Sequence, residues 1–90
     1  MTERFSTTAA AAVSPPWSPS GDVVLQADCA DPRALVDIEG RVNEAATWRL
    51  ICTFGASSAP FAQIPRLPSL RAVVRENAAG STVRVFEALL

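Results

Sequence analysis

Residues 34–42 read Ala34-Leu35-Val36-Asp37-Ile38-Glu39-Gly40-Arg41-Val42, and after a short break residues 48–54 read Trp48-Arg49-Leu50-Ile51-Cys52-Thr53-Phe54. In the first run Val36, Ile38 and Val42 fall on one side, while Asp37, Glu39 and Arg41 fall on the other. A period of two with one apolar side is the pattern of a half-exposed strand. In the second run Trp48, Leu50, Cys52 and Phe54 share a side, which is expected to face a core. The five residues between them have hairpin length, so the two runs predict an antiparallel hairpin. Gly40 inside the first run predicts a bulge or the close approach of a neighbouring backbone.

The same grammar continues outward. Upstream, residues 23–27 form a continuous apolar run, closed by Asp28-Cys29-Ala30-Asp31-Pro32, whose Asp and Pro suit a turn. Downstream, Phe61 to Ile64 is a short strand and residues 70–75 are another. Asn77-Ala78-Ala79-Gly80 is a turn, with Asn and Gly able to take positive φ. It leads into a last strand over 81–88, with Val83 and Val85 on one face and Arg84 and Phe86 on the other. Read as a hairpin, this places Glu76 opposite Glu87. Five or six short strands without a long amphipathic helix predict an all-β chain, a small antiparallel β-sandwich or barrel.

Residues 1–21 differ in character. A small-residue stretch, Thr7 to Ala12, runs into Val13-Ser14-Pro15-Pro16-Trp17-Ser18-Pro19-Ser20-Gly21. The prolines prevent a helix from continuing and favour extended chain. The division expected is therefore an extended N-terminal arm over 1–21 and a compact β domain over 22–90. Phe5 and Trp17 are the expected anchors of that arm on a neighbouring subunit. The Pro-punctuated segment 60–68 supplies four more candidate partner contacts: Phe61, Ile64, Arg66 and Leu67.

Composition narrows the chemistry. The chain contains no His, no Lys and no Tyr, and all eight basic residues are Arg. A serine nucleophile at Ser57 or Ser58 would lack a base, no Schiff-base amine exists, and zinc sites of the Cys/His kind need more than two Cys. Neither the acidic turn at Asp28 and Asp31 nor nearby Asp37 has the glycine-bearing loop that calcium requires. No catalytic residue, cofactor, metal or small-molecule substrate is expected. The net charge is −1 and no basic run occurs, which argues against nucleic acid. No apolar stretch reaches the ~18–20 residues of a membrane span, and the Ala-rich start lacks the apolar core of a secretory signal. Cys29 and Cys52 are expected as buried thiols. Hydrophobic residues make up 49% of the chain, more than so small a domain is expected to hide by itself, so burial against other subunits is expected.

Residues 70–85, Leu70-Arg71-Ala72-Val73-Val74-Arg75-Glu76-Asn77-Ala78-Ala79-Gly80-Ser81-Thr82-Val83-Arg84-Val85, are similar to the Arg-x-x-Val-x-Asn-x-x-Gly-x-Thr-Val-x-Val style of small β-sandwich accessory proteins of tailed phages: decoration, cement, head–tail and tail-fibre components. The resemblance implies a multi-copy structural role in a virion, made in the host cytoplasm, with homo-oligomer contacts, contacts to larger virion proteins, and the arm lacing one subunit to the next. It carries over no functional residue. The rival expectation is a small intracellular binder or inhibitor of a host enzyme or defence complex.

Overall fold

A computed structural model describes residues 2–56 and 58–90; of the two serines weighed above as nucleophiles, Ser57 lies outside them. Eight strands form: β1 (Thr2–Thr7), β2 (Ala12–Val13), β3 (Val23–Cys29), β4 (Leu35–Arg41), β5 (Arg49–Phe54), β6 (Phe61–Ile64), β7 (Ser69–Arg75) and β8 (Val83–Leu89). They make two antiparallel four-stranded sheets, ordered β1-β8-β3-β6 and β2-β7-β4-β5. Only β4 and β5 follow one another within a sheet. Every other connection crosses between the sheets, and this strand order is that of an eight-stranded jelly roll, two Greek keys wrapped together.

The core lies between the layers. Val23, Leu25 and Ala27 of β3, Val83 and Val85 of β8, Val36 and Ile38 of β4, and Leu70, Ala72 and Val74 of β7 are all buried. These are alternate residues on each strand, as a pleat with one dry face requires. The strands expected from 23, 34, 48, 61, 70 and 81 onward are all present.

Three expectations are corrected. First, residues 2–21 are not an extended arm. Thr2–Thr7 pairs along β8, Ala12–Val13 pairs along β7, and Trp17 exchanges two backbone hydrogen bonds of 2.9 Å with Leu70. The Pro-rich stretch is extended, but it forms the rim of its own domain. Pro15 and Pro16, which lack an N–H, fall between the paired Ser14 and Trp17, a position that only an edge tolerates. Second, β7 and β8 belong to different sheets, so residues 76–80 form a crossover and not a hairpin. Glu76, with φ 61°, is exposed, and Glu87 is buried on the inner face. Third, Trp48 and Leu50 do not face the core. The β4–β5 register shifts between Ile38 and Glu39, so Cys52 pairs with inward Ile38 while Leu50 pairs with outward Glu39. Ile51 is the extra residue, and a β-bulge swaps the faces of everything before it. Leu50 is 61% exposed and Val42 is 62% exposed. Gly40 sits beneath side chains and not a backbone: a Cβ there would lie 2.6 Å from Leu67 Cδ1 and 2.9 Å from Ile51 Cδ1.

The crossover has a buried pin. Asn77 is fully buried; its Nδ2 donates to the carbonyls of Ala9 (3.1 Å) and Ser81 (2.7 Å), and its backbone N–H donates to Ala10 O. It thereby ties the β1–β2 turn to the β7–β8 crossover. Asn77→Ala strands both carbonyls and is expected to cost about 1–3 kcal/mol. A urea titration checks this, and a midpoint within error of the parent would show that the pin is idle.

With 5030 Å² accessible, the chain exposes about what a compact monomer of its mass exposes, roughly 5,000 Å² by size scaling. Part of the apolar surplus expected from composition lies in the core between the sheets, and part stays at the surface in Val13, Val42, Leu50, Ile51, Phe61, Leu89 and Leu90.

Candidate interaction surface

A sandwich ends in four edge strands, and each is a template for pairing unless guarded. β1 carries Glu3 and Arg4 with a register shift between Glu3 and Phe5. β2 has two residues and then meets Pro15 after Ser14. β6 has four residues and is framed by Pro60 and Pro65. β5 has six residues, no proline and one charge, Arg49 at its start. Its Leu50 and Ile51 are 61% and 38% exposed. The bulge at Ile51 is its one guarding device.

Around this edge the apolar surface continues. Val42, Ile51 and Leu67 line a shallow groove of about 400 Å³ over Gly40, with Arg41, Thr47 and Arg49 at its margin. On the adjoining outer face the guanidinium carbons of Arg41 and Arg71 lie 4.3 and 4.5 Å from the Trp48 ring centroid, within cation–π range. Arg71 Nε donates to Glu39 at 2.6 Å, whereas Arg41 Nε is buried without a hydrogen-bond partner. The surface is therefore apolar at the strand edge and Arg/Trp-rich behind it, the composition that protein–protein contacts favour.

The six residues chosen from sequence scatter. Trp17 and Ile64 are buried in the chain's own core, and Phe5 packs against that core. Leu67 joins the groove. Phe61 is 57% exposed on the outer face of the other sheet, where pairing aligns it with Gln26 and Phe86. The Arg66 side chain is exposed, while its backbone N–H donates to Asp22 Oδ1 at 2.7 Å. Sequence reading missed Leu50 and Ile51, because the bulge that exposes them leaves no local mark, and Val42, which falls just past the end of β4.

The titratable groups perform structural work. Asp28 accepts from Gln26, Asp31 pairs with Arg33, and Asp37 accepts from Arg75 at 2.8 Å and from the Thr53 hydroxyl at 2.6 Å. The three carboxylates thus point to separate partners. Burial pushes the Cys29 thiol up, with Asp28 adding to it, and burial followed by Asp37 does the same at Cys52. Both are free thiols, shifted away from the reactive thiolate. For Asp37 burial alone would raise the carboxyl. The hydrogen bonds from Arg75 and Thr53 and the charge of Arg75 outweigh it and hold the group below its ordinary range. A carboxylate depressed in the fold contributes stability that is present above its unfolded value, about 3.9, and is lost as pH falls through the lower folded value. Asp37→Asn should therefore flatten the loss of stability below about pH 4. Acid unfolding followed by circular dichroism checks it, and an unchanged slope would rule this pair out as a contributor.

No family model, curated protein or solved structure matches the chain.

Proposed function

We propose that this chain is a non-catalytic assembly protein acting by subunit–subunit contact, a virion accessory of the decoration, cement or head–tail kind. The observation that carries the reading is the β5 edge, guarded by its bulge alone, with its apolar groove, on a chain that has no His and no Lys to serve as a base. Jelly rolls serve in viral capsid, lectin and cupin domains. Fold alone does not choose among these. The likeness of residues 70–85 to phage accessory proteins points the same way. The partners are then further copies of this chain and larger virion proteins, met first in the host cytoplasm.

Particles purified from the producing culture should contain the chain in many copies. Leu50→Asp, placed on an exposed outward position, should leave the circular dichroism spectrum unchanged and reduce incorporation at least tenfold. Absence of the parent chain from particles would sink the reading. The rival reading is a small intracellular binder or inhibitor of a host enzyme or defence complex. A chain that stays monomeric at every concentration and is indifferent to Leu50→Asp would select that rival.

A further inference from the structure

β5 lies at the end of its sheet, and no described strand pairs its outer side. An edge strand turns part of its backbone N–H and C=O groups away from the sheet, where an added chain can pair with them. The ladder to β4 is regular over Cys52, Thr53 and Phe54, and the shift is confined to Ile51. Beside the bulged half lies the groove of Val42, Ile51 and Leu67, shallow and about 400 Å³, a seat for a side chain and not for a helix.

Charge marks the same place. Among the described residues five arginines pair with carboxylates: Arg4 with Glu87, Arg33 with Asp31, Arg71 with Glu39, Arg75 with Asp37 and Arg84 with Glu3. The three left over are Arg41 and Arg49, which line the groove, and Arg66, the neighbour in sequence of the groove residue Leu67. Arg41 sits with its guanidinium carbon 4.3 Å from the Trp48 ring centroid. Its one hydrogen bond among the described residues runs to the Glu44 carbonyl at a long 3.5 Å. Arg71, on the same ring, already donates to Glu39. A guanidinium positioned by stacking yet short of acceptors is prepared for an incoming carboxylate.

We propose that the β5 edge takes an extended acidic–apolar segment of a different protein as an added strand, its apolar side chain in the groove and its carboxylates on Arg41 and Arg49. The proposal rests on the assembly reading above and gives the partner at that site a chemistry. A second copy matches it poorly: β5 reads Arg49-Leu50-Ile51-Cys52-Thr53-Phe54 and has no carboxylate, so self-pairing leaves both arginines unmatched. Nucleic acid would supply the negative charge but leave the apolar walls of the groove without a counterpart.

The test offers the full-length chain three capped hexapeptides. One is Glu-Ile-Asp-Leu-Glu-Val, one has lysines in place of its acids, and one has serines in place of its apolar residues. Fluorescence anisotropy of the labelled peptides should show the first binding at least tenfold tighter than either other, and weakening as salt is raised. Amide NMR shifts should move at residues 49–54 and not along β1 or β6. Arg49→Glu, at an exposed position, should weaken the acidic peptide at least tenfold and strengthen the basic one. Should that variant fail to fold, Arg49→Gln serves, with a loss of at least threefold. Equal affinities, no binding at millimolar peptide, or shifts at another edge would overturn the proposal. So would competition by single-stranded oligothymidylate as strong as by the acidic peptide. Concentration-dependent protection of β5 amides without peptide would place a second copy there and overturn it too. The peptides need no particle: a parent chain that binds them but is absent from particles sinks the virion reading alone. Incorporation without peptide binding sinks this partner chemistry alone.

Discussion

A chain lacking residues 2–17 is expected not to fold cooperatively. Deletion removes β1 from β8, β2 from β7, and the two Trp17–Leu70 hydrogen bonds. It also removes a tryptophan only 9% exposed. A buried Trp hides some 150–250 Å², so at about 25 cal/mol per Å² that side chain alone is worth roughly 4–6 kcal/mol. A whole domain of this length holds only about 5–13 kcal/mol. Two central strands would become bare edges, and Glu87 would lose both of its donors, Arg4 and Trp17. Far-UV circular dichroism of residues 18–90 should show little strand signal and no sharp melt. A peptide of residues 2–17 added in trans should restore both. A cooperative transition close to that of the full chain, without peptide, would show the N-terminal rim to be ornamental.

This dependence was hard to read from the sequence, for a physical reason. The prolines mark the Pro-rich part of this segment as extended chain, since prolines act locally. What the segment lies against is a matter of long-range pairing: Thr2 meets Glu87 and Trp17 meets Leu70. Edge strands also carry weak patterns, because much of each faces water. β1 is largely polar, and its register shift around Arg4 interrupts what alternation exists. Trp17 among prolines looked like an anchor without a core because its core is built by strands fifty and more residues away.

The central strands were legible because each buries one full face, so their apolar residues recur every second position. Legibility failed where one residue broke the count. Ile51 shifts the β5 register by one, turning Trp48 and Leu50 outward, so a strand correctly located was wrongly faced. The same residue exposes Leu50 and Ile51, which is why that part of the candidate site could not be found from alternation. The 76–80 turn failed differently. Asn77 and Gly80 announce a reversal, but whether the chain returns beside β7 or crosses to the other sheet is a matter of long-range pairing, here β8 with β1 and β3, which no local rule anticipates.

Glu87→Ala is expected to cost about 3–5 kcal/mol, the range for breaking a buried ion pair by removing one partner. Glu87 is 5% exposed. Its Oε2 accepts the Trp17 Nε1–H at 2.7 Å, and its Oε1 accepts from Arg4 Nη2 at 2.7 Å and Nε at 3.2 Å. Removing the carboxylate leaves an indole N–H and a guanidinium only 29% exposed facing apolar side chains. Glu87→Gln should cost less, about 1–2 kcal/mol, because its amide oxygen still accepts from Trp17 while the charge attraction to Arg4 is lost. Burying a charge is a poor way to gain stability, so the triad's value lies in holding the rim in register, and this separates it from simple packing. Arg4→Met, Trp17→Phe and Glu87→Leu together remove every orphaned group and should return to within about 1 kcal/mol of the parent. The same triple variant should still loosen the rim, seen as faster hydrogen exchange at β1 amides than at β3 amides. Urea unfolding of the four chains measures the first claim and exchange mass spectrometry the second. If Glu87→Ala alone unfolds at the parent's urea midpoint, the carboxylate does not hold the rim. If the triple variant protects β1 as well as the parent does, shape and not the charged triad sets the register.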